Sequence, residues 1–218
     1  MKININEFFT SIQGEGLFAG QVHFFLRLSG CNIKCNYCDT DTTDFKTFTI
    51  EEIIKIINTE NNKIPFRTIS ITGGEPLIQS LALFELLKKL NKKYKILLET
   101  NSTLTNELKQ LINYTNIISM DFKLDYHLQN KHIFKEFFDI SSKKTKYIKI
   151  VYNLQNINKV EKALEFLKTI VNLKTPIFLQ PVTPVKKEDI KAGLNIVFKQ
   201  KKMDLRLLPQ IHPFINIK

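Results

Sequence analysis

The chain has 218 residues and a formal net charge of +11, a length that suits one domain over residues 1–218 with a sizeable core. No apolar run approaches the roughly 20 residues a membrane-spanning helix needs, and the opening MKININEFFTSIQGEG has neither the apolar stretch nor the small-residue cleavage site of a signal peptide, so a cytoplasmic chain without membrane attachment is expected. The positive charge comes from scattered lysines in a chain rich in Lys, Asn and Ile, without a compact basic block; it reads as compositional bias rather than a nucleic-acid surface.

From residue 24 onward short apolar runs alternate with helix-like segments. The runs Phe24–Leu28, Thr68–Thr72, Lys95–Thr100, Ile117–Met120, Tyr147–Val151, Ile177–Gln180 and Leu205–Leu208 are rich in Ile, Leu, Val and Phe, as strands of a parallel sheet covered on both faces are. Between them, Thr49-Ile-Glu-Glu52 predicts a capping box opening a helix over Ile50–Asn58. Pro76 suits a first helical turn, with Leu77, Leu81, Phe84 and Leu87 at helical spacing. Thr105 is placed to cap the next helix, and Lys131–Phe138, Asn156–Leu167 and Glu188–Phe198 continue the pattern. Strands alternating with helices predict an α/β fold with a parallel sheet and right-handed crossovers. A full eight-stranded barrel takes about 250 residues; this length predicts a partial, open βα barrel of about six parallel strands, six or seven in all. Thr72, Glu99, Asp121, Gln180 and Gln210 fall at or just after the C-terminal strand ends, which share the rim where the sites of such barrels lie.

All three cysteines fall within eight residues, as Cys31-Asn-Ile-Lys-Cys35-Asn-Tyr-Cys38, directly after the strand Phe24–Leu28. An odd number at this spacing does not make a disulfide framework. Structural zinc usually takes four ligands, and a cubane cluster usually takes Cys₄. Three thiolates therefore imply an iron left open for a non-protein ligand. The plainer alternatives are three buried free thiols, or zinc with His23 as fourth ligand.

The CX3CX2C spacing, the aromatic Tyr37 before the last cysteine, and Ile71-Thr-Gly-Gly-Glu-Pro76 at the end of the next strand together resemble the radical S-adenosylmethionine superfamily. The resemblance implies a [4Fe–4S] cluster on Cys31, Cys35 and Cys38. It also implies S-adenosylmethionine on the open iron as the source of a 5′-deoxyadenosyl radical, and Gly74 and Glu75 beside the methionine amino group. The cofactors then carry the hard chemistry, and the protein supplies orientation and water exclusion.

Within that superfamily, Ser11-Ile-Gln-Gly-Glu-Gly16, Gly20, Arg27, Asp39-Thr40, Leu97-Leu-Glu-Thr-Asn101, Met120-Asp-Phe-Lys123, Leu179-Gln-Pro181 and Leu208-Pro-Gln-Ile-His212 resemble the 7-carboxy-7-deazaguanine synthase family over nearly the whole chain. What this resemblance implies is conversion of 6-carboxy-5,6,7,8-tetrahydropterin to 7-carboxy-7-deazaguanine with loss of ammonia, with Mg²⁺ required, a flavodoxin-like or similar reducing donor, and a homodimer. It implies that Ile12, Gln13, Gly14 and Glu15 line the pterin, that Arg27 pairs with its carboxylate, and that Thr40 offers a hydroxyl to Mg²⁺. Thr72, Glu99 and His212 then belong to the substrate side, and Ser119, Asp121, Lys123 and Gln180 to the S-adenosylmethionine side or the pocket wall. For Arg27 a structural ion pair, and for His212 a satisfied loop position, are the alternatives. Asn101 is followed by Ser102 where glycine is common, so that turn is expected to differ. The rival functions are a glycyl-radical enzyme activase, which shares CX3CX2C, and a non-enzymatic cluster-binding module.

Overall fold

The computed structural model describes residues 1–38 and 43–215. Its strands are β1 (Lys2–Ile12), β2 (Val22–Leu28), β3 (Lys46–Thr49), β4 (Thr68–Gly73), β5 (Lys95–Thr100), β6 (Ile117–Asp121), β7 (Thr145–Tyr152), β8 (Ile177–Pro181) and β9 (Leu205–Leu207). They form one sheet in the order β3-β1-β2-β4-β5-β6-β7-β8-β9. The seven strands expected from sequence are all present and all parallel to one another. Two further strands, β1 and β3, join antiparallel at one edge. Strands β3 and β9 are the two ends of this order, so the barrel is partial and open, as expected.

The helices cover the outer face: α1 (Ile50–Lys63), α2 (Ser80–Leu90), α3 (Thr105–Leu111), α4 (Leu124–His127), α5 (Lys131–Ile140), α6 (Ile157–Leu167) and α7 (Lys187–Lys199), with a last turn α8 (His212–Ile215). The capping box of α1 forms: Glu52 N–H donates to Thr49 Oγ1 (3.2 Å), and Thr49 N–H to Glu52 Oε2 (2.7 Å). Thr105, by contrast, is the first residue inside α3; Leu104 stands at the cap without a side-chain bond. Pro76 opens a short 3₁₀ turn before α2. Leu81 lies outside the buried stripe, which runs through Leu83, Leu86, Leu87 and Leu90. No helix among the described residues is long and apolar enough to cross a membrane.

Alternation along the strands divides the interior. Leu26, Ile71, Leu98, Ile118, Ile150 and Leu179 face outward and pack against helix residues such as Ile53, Leu87, Leu108, Phe134 and Leu164 in the main core. The inner face carries Leu97, Ile117, Tyr147 and Phe178, joined by Leu17 and Phe18 from the β1–β2 connection and by Leu208. Two residues further along three of these strands, on the same inner face, stand Glu99, Lys149 and Gln180. The barrel therefore has an apolar floor and a polar layer toward the C-terminal strand ends.

Candidate active site

The cysteine loop leaves β2 through Ser29 and Gly30. Cys31, Cys35 and Cys38 line one cavity of about 500 Å³, and all three are exposed or half-buried. Burial pushes the Cys35 thiol up. The Gly73-Gly74 turn after β4 lies directly against this loop. Gly74 N–H donates to Leu28 O (3.2 Å) and Glu75 N–H to Gly30 O (2.8 Å). Gly73 has φ +137°, a backbone state closed to most side chains. A Cβ on Gly74 would stand 2.0 Å from Gly30 O and 2.9 Å from Cys31 Cβ. Asn101, at the end of β5, donates from Nδ2 toward Cys31 Sγ (3.9 Å) and to Asn32 Oδ1 (2.8 Å).

Three thiols on one cavity wall, steadied by an amide donor, suit a [4Fe–4S] cluster with one iron left for another ligand. The zinc alternative does not hold. His23 lies buried in β2 with Nδ1 2.8 Å from Ser70 Oγ, away from the cavity lining. Among the described residues no three His, Cys, Asp or Glu side chains converge as a single metal ion needs. Thr40, the expected Mg²⁺ ligand, lies outside the described residues, as does Asp39.

Glu75 is fully buried. Its Oε1 accepts from Leu77 N–H (3.0 Å) and Thr100 Oγ1 (2.8 Å), and its Oε2 from Asn101 N–H (2.6 Å). Burial pushes its carboxyl up to about 7 against the pull of these donors. The carboxylate thus ties the β4 turn to the β5 end; Glu75 itself does not line the cavity, whereas Gly73, Gly74, Thr100 and Asn101 do. The turn after Asn101 forms without glycine: Ser102 takes φ +61°, and its N–H donates to Thr100 Oγ1 (3.1 Å).

The opposite wall comes from the β1–β2 connection. Ile12, Gln13, Gly14 and Glu15 all line the cavity. Gln13 Nε2 donates to Glu99 Oε1 (2.8 Å), and Thr72 Oγ1 donates to Glu99 Oε2 (3.2 Å); both Glu99 oxygens are therefore already engaged by the protein. Glu15 accepts from Lys149 Nζ, from Gln180 Nε2 (3.1 Å) and from Gln210 Nε2 (2.6 Å). Burial works to raise its carboxyl, and the Lys149 ammonium overrides this and holds it below the usual range. Ile211 N–H donates to Gly14 O (3.0 Å), which seats His212 at the cavity edge against Gly14. Residues 13–16 thus reach across the interior to the segment after β9.

Asp121 pairs with Lys123 Nζ at 2.9 Å and Lys149 Nζ at 3.3 Å, and Lys123 Nζ lies 5.6 Å from the centre of the Tyr37 ring. Arg27 lines the cavity with its Nε 3.4 Å from Glu7 Oε2 and its guanidinium 5.5 Å from the Phe9 ring centre. It is both an ion-pair member and a wall residue. Ser119 corrects the sequence expectation. It is fully buried beside Tyr147 and does not line the cavity, because it sits one strand step deeper than Asp121. Sequence reasoning missed Lys149, Asn101 and the bond from Gln210 to Glu15. The available signal was a lone lysine inside the apolar run Tyr147–Val151.

His127 joins two of these loops. Its Nδ1 accepts from Lys123 N–H (2.8 Å) and its Nε2 lies 3.3 Å from Ser102 O, which requires a neutral ring protonated on Nε2. Burial pushes it down to about 4. The unfolded chain binds that proton more readily, so this contribution to stability is complete above about pH 6.5 and is lost as pH falls toward 4. In urea titrations of the cluster-free protein, His127→Gln is expected to remove on the order of 3 kcal/mol of this acid-side slope. An unchanged slope would show that the ring is not held neutral.

Residues 26–176 match the profile of the Radical SAM superfamily. The chain is 31% identical to the 7-carboxy-7-deazaguanine synthase of Methanopyrus kandleri, over 98% of this chain and 94% of that one. It is 33% identical to that of Clostridium acetobutylicum, over 99% and 96%. Among solved structures, QueE from Escherichia coli superposes with a TM-score of 0.70 at 23% identity, covering 97% of this chain and 95% of that one. Streptococcus suis SuiB bound to S-adenosylmethionine superposes with 0.58 at 16% identity, over 83% of this chain and 48% of that one. These two likenesses are of fold.

Proposed function

We propose a reaction from one premise: the chain belongs to the radical S-adenosylmethionine superfamily and, within it, to the 7-carboxy-7-deazaguanine synthases. The reaction is conversion of 6-carboxy-5,6,7,8-tetrahydropterin to 7-carboxy-7-deazaguanine with loss of ammonia, a carbon–nitrogen lyase step of queuosine or another deazapurine pathway. The observation that carries it is that three cysteine thiols line the same cavity as a group of amides and carboxylates.

Cys31, Cys35 and Cys38 would hold the cluster. With S-adenosylmethionine bound, the cluster would supply the radical chemistry that the reaction needs. The chain's own part is to bind, orient and keep the site dry. Gly74 gives the methionine end a close backbone approach, with Asp121, Lys123 and Gln180 along that wall. Ile12, Gln13, Gly14 and Glu15 offer backbone and side-chain groups to the polar edge of the pterin, with Thr72 and Glu99 behind Gln13. Arg27, a planar fork of donors, suits the substrate carboxylate, with His212 nearby. The apolar floor of Leu97, Ile117, Tyr147 and Phe178 excludes water from below. Mg²⁺ on Thr40, a homodimer, a flavodoxin-like donor and a cytoplasmic setting complete the reading. Mg²⁺ favours oxygen ligands and retains waters, so one hydroxyl from the protein suffices.

Anaerobic reconstitution with iron and sulfide, then incubation with S-adenosylmethionine, Mg²⁺, a reductant and 6-carboxytetrahydropterin, tests this. The expected products are 7-carboxy-7-deazaguanine and ammonia. A loaded cluster that cleaves S-adenosylmethionine and leaves the pterin intact would sink it.

A further inference from the structure

At the centre of the polar layer stands a lysine that no motif required. The Lys149 side chain is 6% exposed, and its ammonium bridges Glu15, from the β1–β2 connection, and Asp121, from β6. The sheet fixes half of this geometry, because Asp121 and Lys149 are register partners on adjacent strands. Glu99 on β5 also faces the ammonium, as does the buried phenol of Tyr147 on β7, the strand that carries Lys149. Lys123 takes the other side of Asp121. Three buried carboxylates thus share two ammonium groups, and Lys149 is the one that reaches two of the three.

Unpaired buried charge is costly, so this pairing determines where the carboxylates can lie. Asp121 is carried by a strand and cannot move far. Glu15 is carried by a connection that crosses the interior, and its carboxylate is drawn to Lys149 and to the amides of Gln180 and Gln210.

We infer that Lys149 is a positioning residue that locks the Gln13–Glu15 wall onto the Asp121–Lys123 wall, so that the two halves of the cavity keep a fixed separation and a fixed charge. Its ion-pair partners are Glu15 and Asp121, so its part is in ligand placement and not in cluster assembly. The identity of the ligand rests on the reading proposed above; the electrostatic tie does not.

Lys149→Met keeps an unbranched chain of similar length and deletes the cation. Glu15, still buried and now facing Asp121 and Glu99 without its ammonium, is expected to take up a proton near neutral pH. The test uses the full chain, with Lys149→Met, Lys149→Arg and Lys149→Met/Glu15→Gln beside the wild type. In ligand-free protein, a difference infrared titration is expected to show one more protonated carboxyl at neutral pH in Lys149→Met. That signal should be absent from the double variant and from Lys149→Arg.

In calorimetry, Lys149→Met is expected to bind 6-carboxytetrahydropterin roughly tenfold or more weakly. Its affinity should vary with pH where the wild type is flat, and Lys149→Arg should recover most of the loss. Iron content should stay at the wild-type level in all three variants. A wild-type carboxyl titration in Lys149→Met overturns the inference, as does an affinity loss that Lys149→Arg fails to rescue. If Lys149→Met does not fold, the same comparison is made between Lys149→Arg and Glu15→Gln, and a wild-type pterin affinity in Glu15→Gln overturns it. A wild type that binds no pterin while the infrared result appears as expected refutes the ligand assignment and supports the electrostatic tie.

Discussion

Alanine in place of any one of Cys31, Cys35 and Cys38 is expected to lower turnover by at least about 10⁴-fold while leaving the chain folded. The cofactor carries the radical chemistry, and enzymes typically accelerate their reactions by about 10⁶-fold or more, so loss of the cluster removes nearly all of it. The fold does not depend on these thiols: they are exposed or half-buried and belong to no part of the buried apolar core. Iron and sulfide content, visible absorption and product formation should therefore collapse, and far-ultraviolet circular dichroism and the urea midpoint of the cluster-free protein should not. A variant that keeps a wild-type cluster with two of the three thiols would show that the loop does not ligate as proposed.

The second large effect is expected from adding a single methyl group. Gly74→Ala puts a Cβ 2.0 Å from the carbonyl oxygen of Gly30 and 2.9 Å from the Cβ of Cys31. The first obstacle is backbone, which cannot rotate aside as a side chain can, so the β4 turn and the cysteine loop must separate. The cost to folding is about 1–3 kcal/mol, the usual range for overpacking. The cost to catalysis is larger in consequence, since displacing reacting groups by about 1 Å can cost roughly a hundredfold. Measured kcat, cluster retention during gel filtration and S-adenosylmethionine affinity should all fall together. Wild-type values for all three would mean that the two loops are not held in contact.

The seven parallel strands were legible because strands covered on both faces read as continuous apolar runs. The antiparallel strand β1 was not: beyond Ile3 and Ile5 it is only half-buried, and Asn4, Asn6 and Glu7 interrupt its pattern. The ion pair between Arg27 and Glu7 was hidden for the same reason, since it exists only where β1 lies beside β2 with Glu7 opposite Arg27. Motif spacing indicated which residues face inward but not their depth, so Ser119 was grouped with Asp121 although it lies a layer below, against Tyr147. Lys149 shows a different limit. Its place on an inner strand face could be read from alternation, but its partner Glu15 is 134 residues away in sequence, and no local pattern encodes that meeting. Family motifs supplied the cysteine loop and the Gly-Gly-Glu turn, and the structure added what holds them together, Asn101 and the buried carboxylate of Glu75.

The bridge from residues 13–16 to the segment after β9 has a consequence for biogenesis. The hydrogen bond from Gln210 to Glu15 spans 195 residues, and Ile211 closes onto Gly14 beside it. Contacts of such separation form late, because loop closure must precede them. A nascent chain can assemble its first strands and expose the cysteine loop while still on the ribosome, yet the wall built from residues 13–16 lacks its final anchors until Gln210 and Ile211 have emerged. Assembly order thus keeps an incomplete chain from presenting a finished radical site.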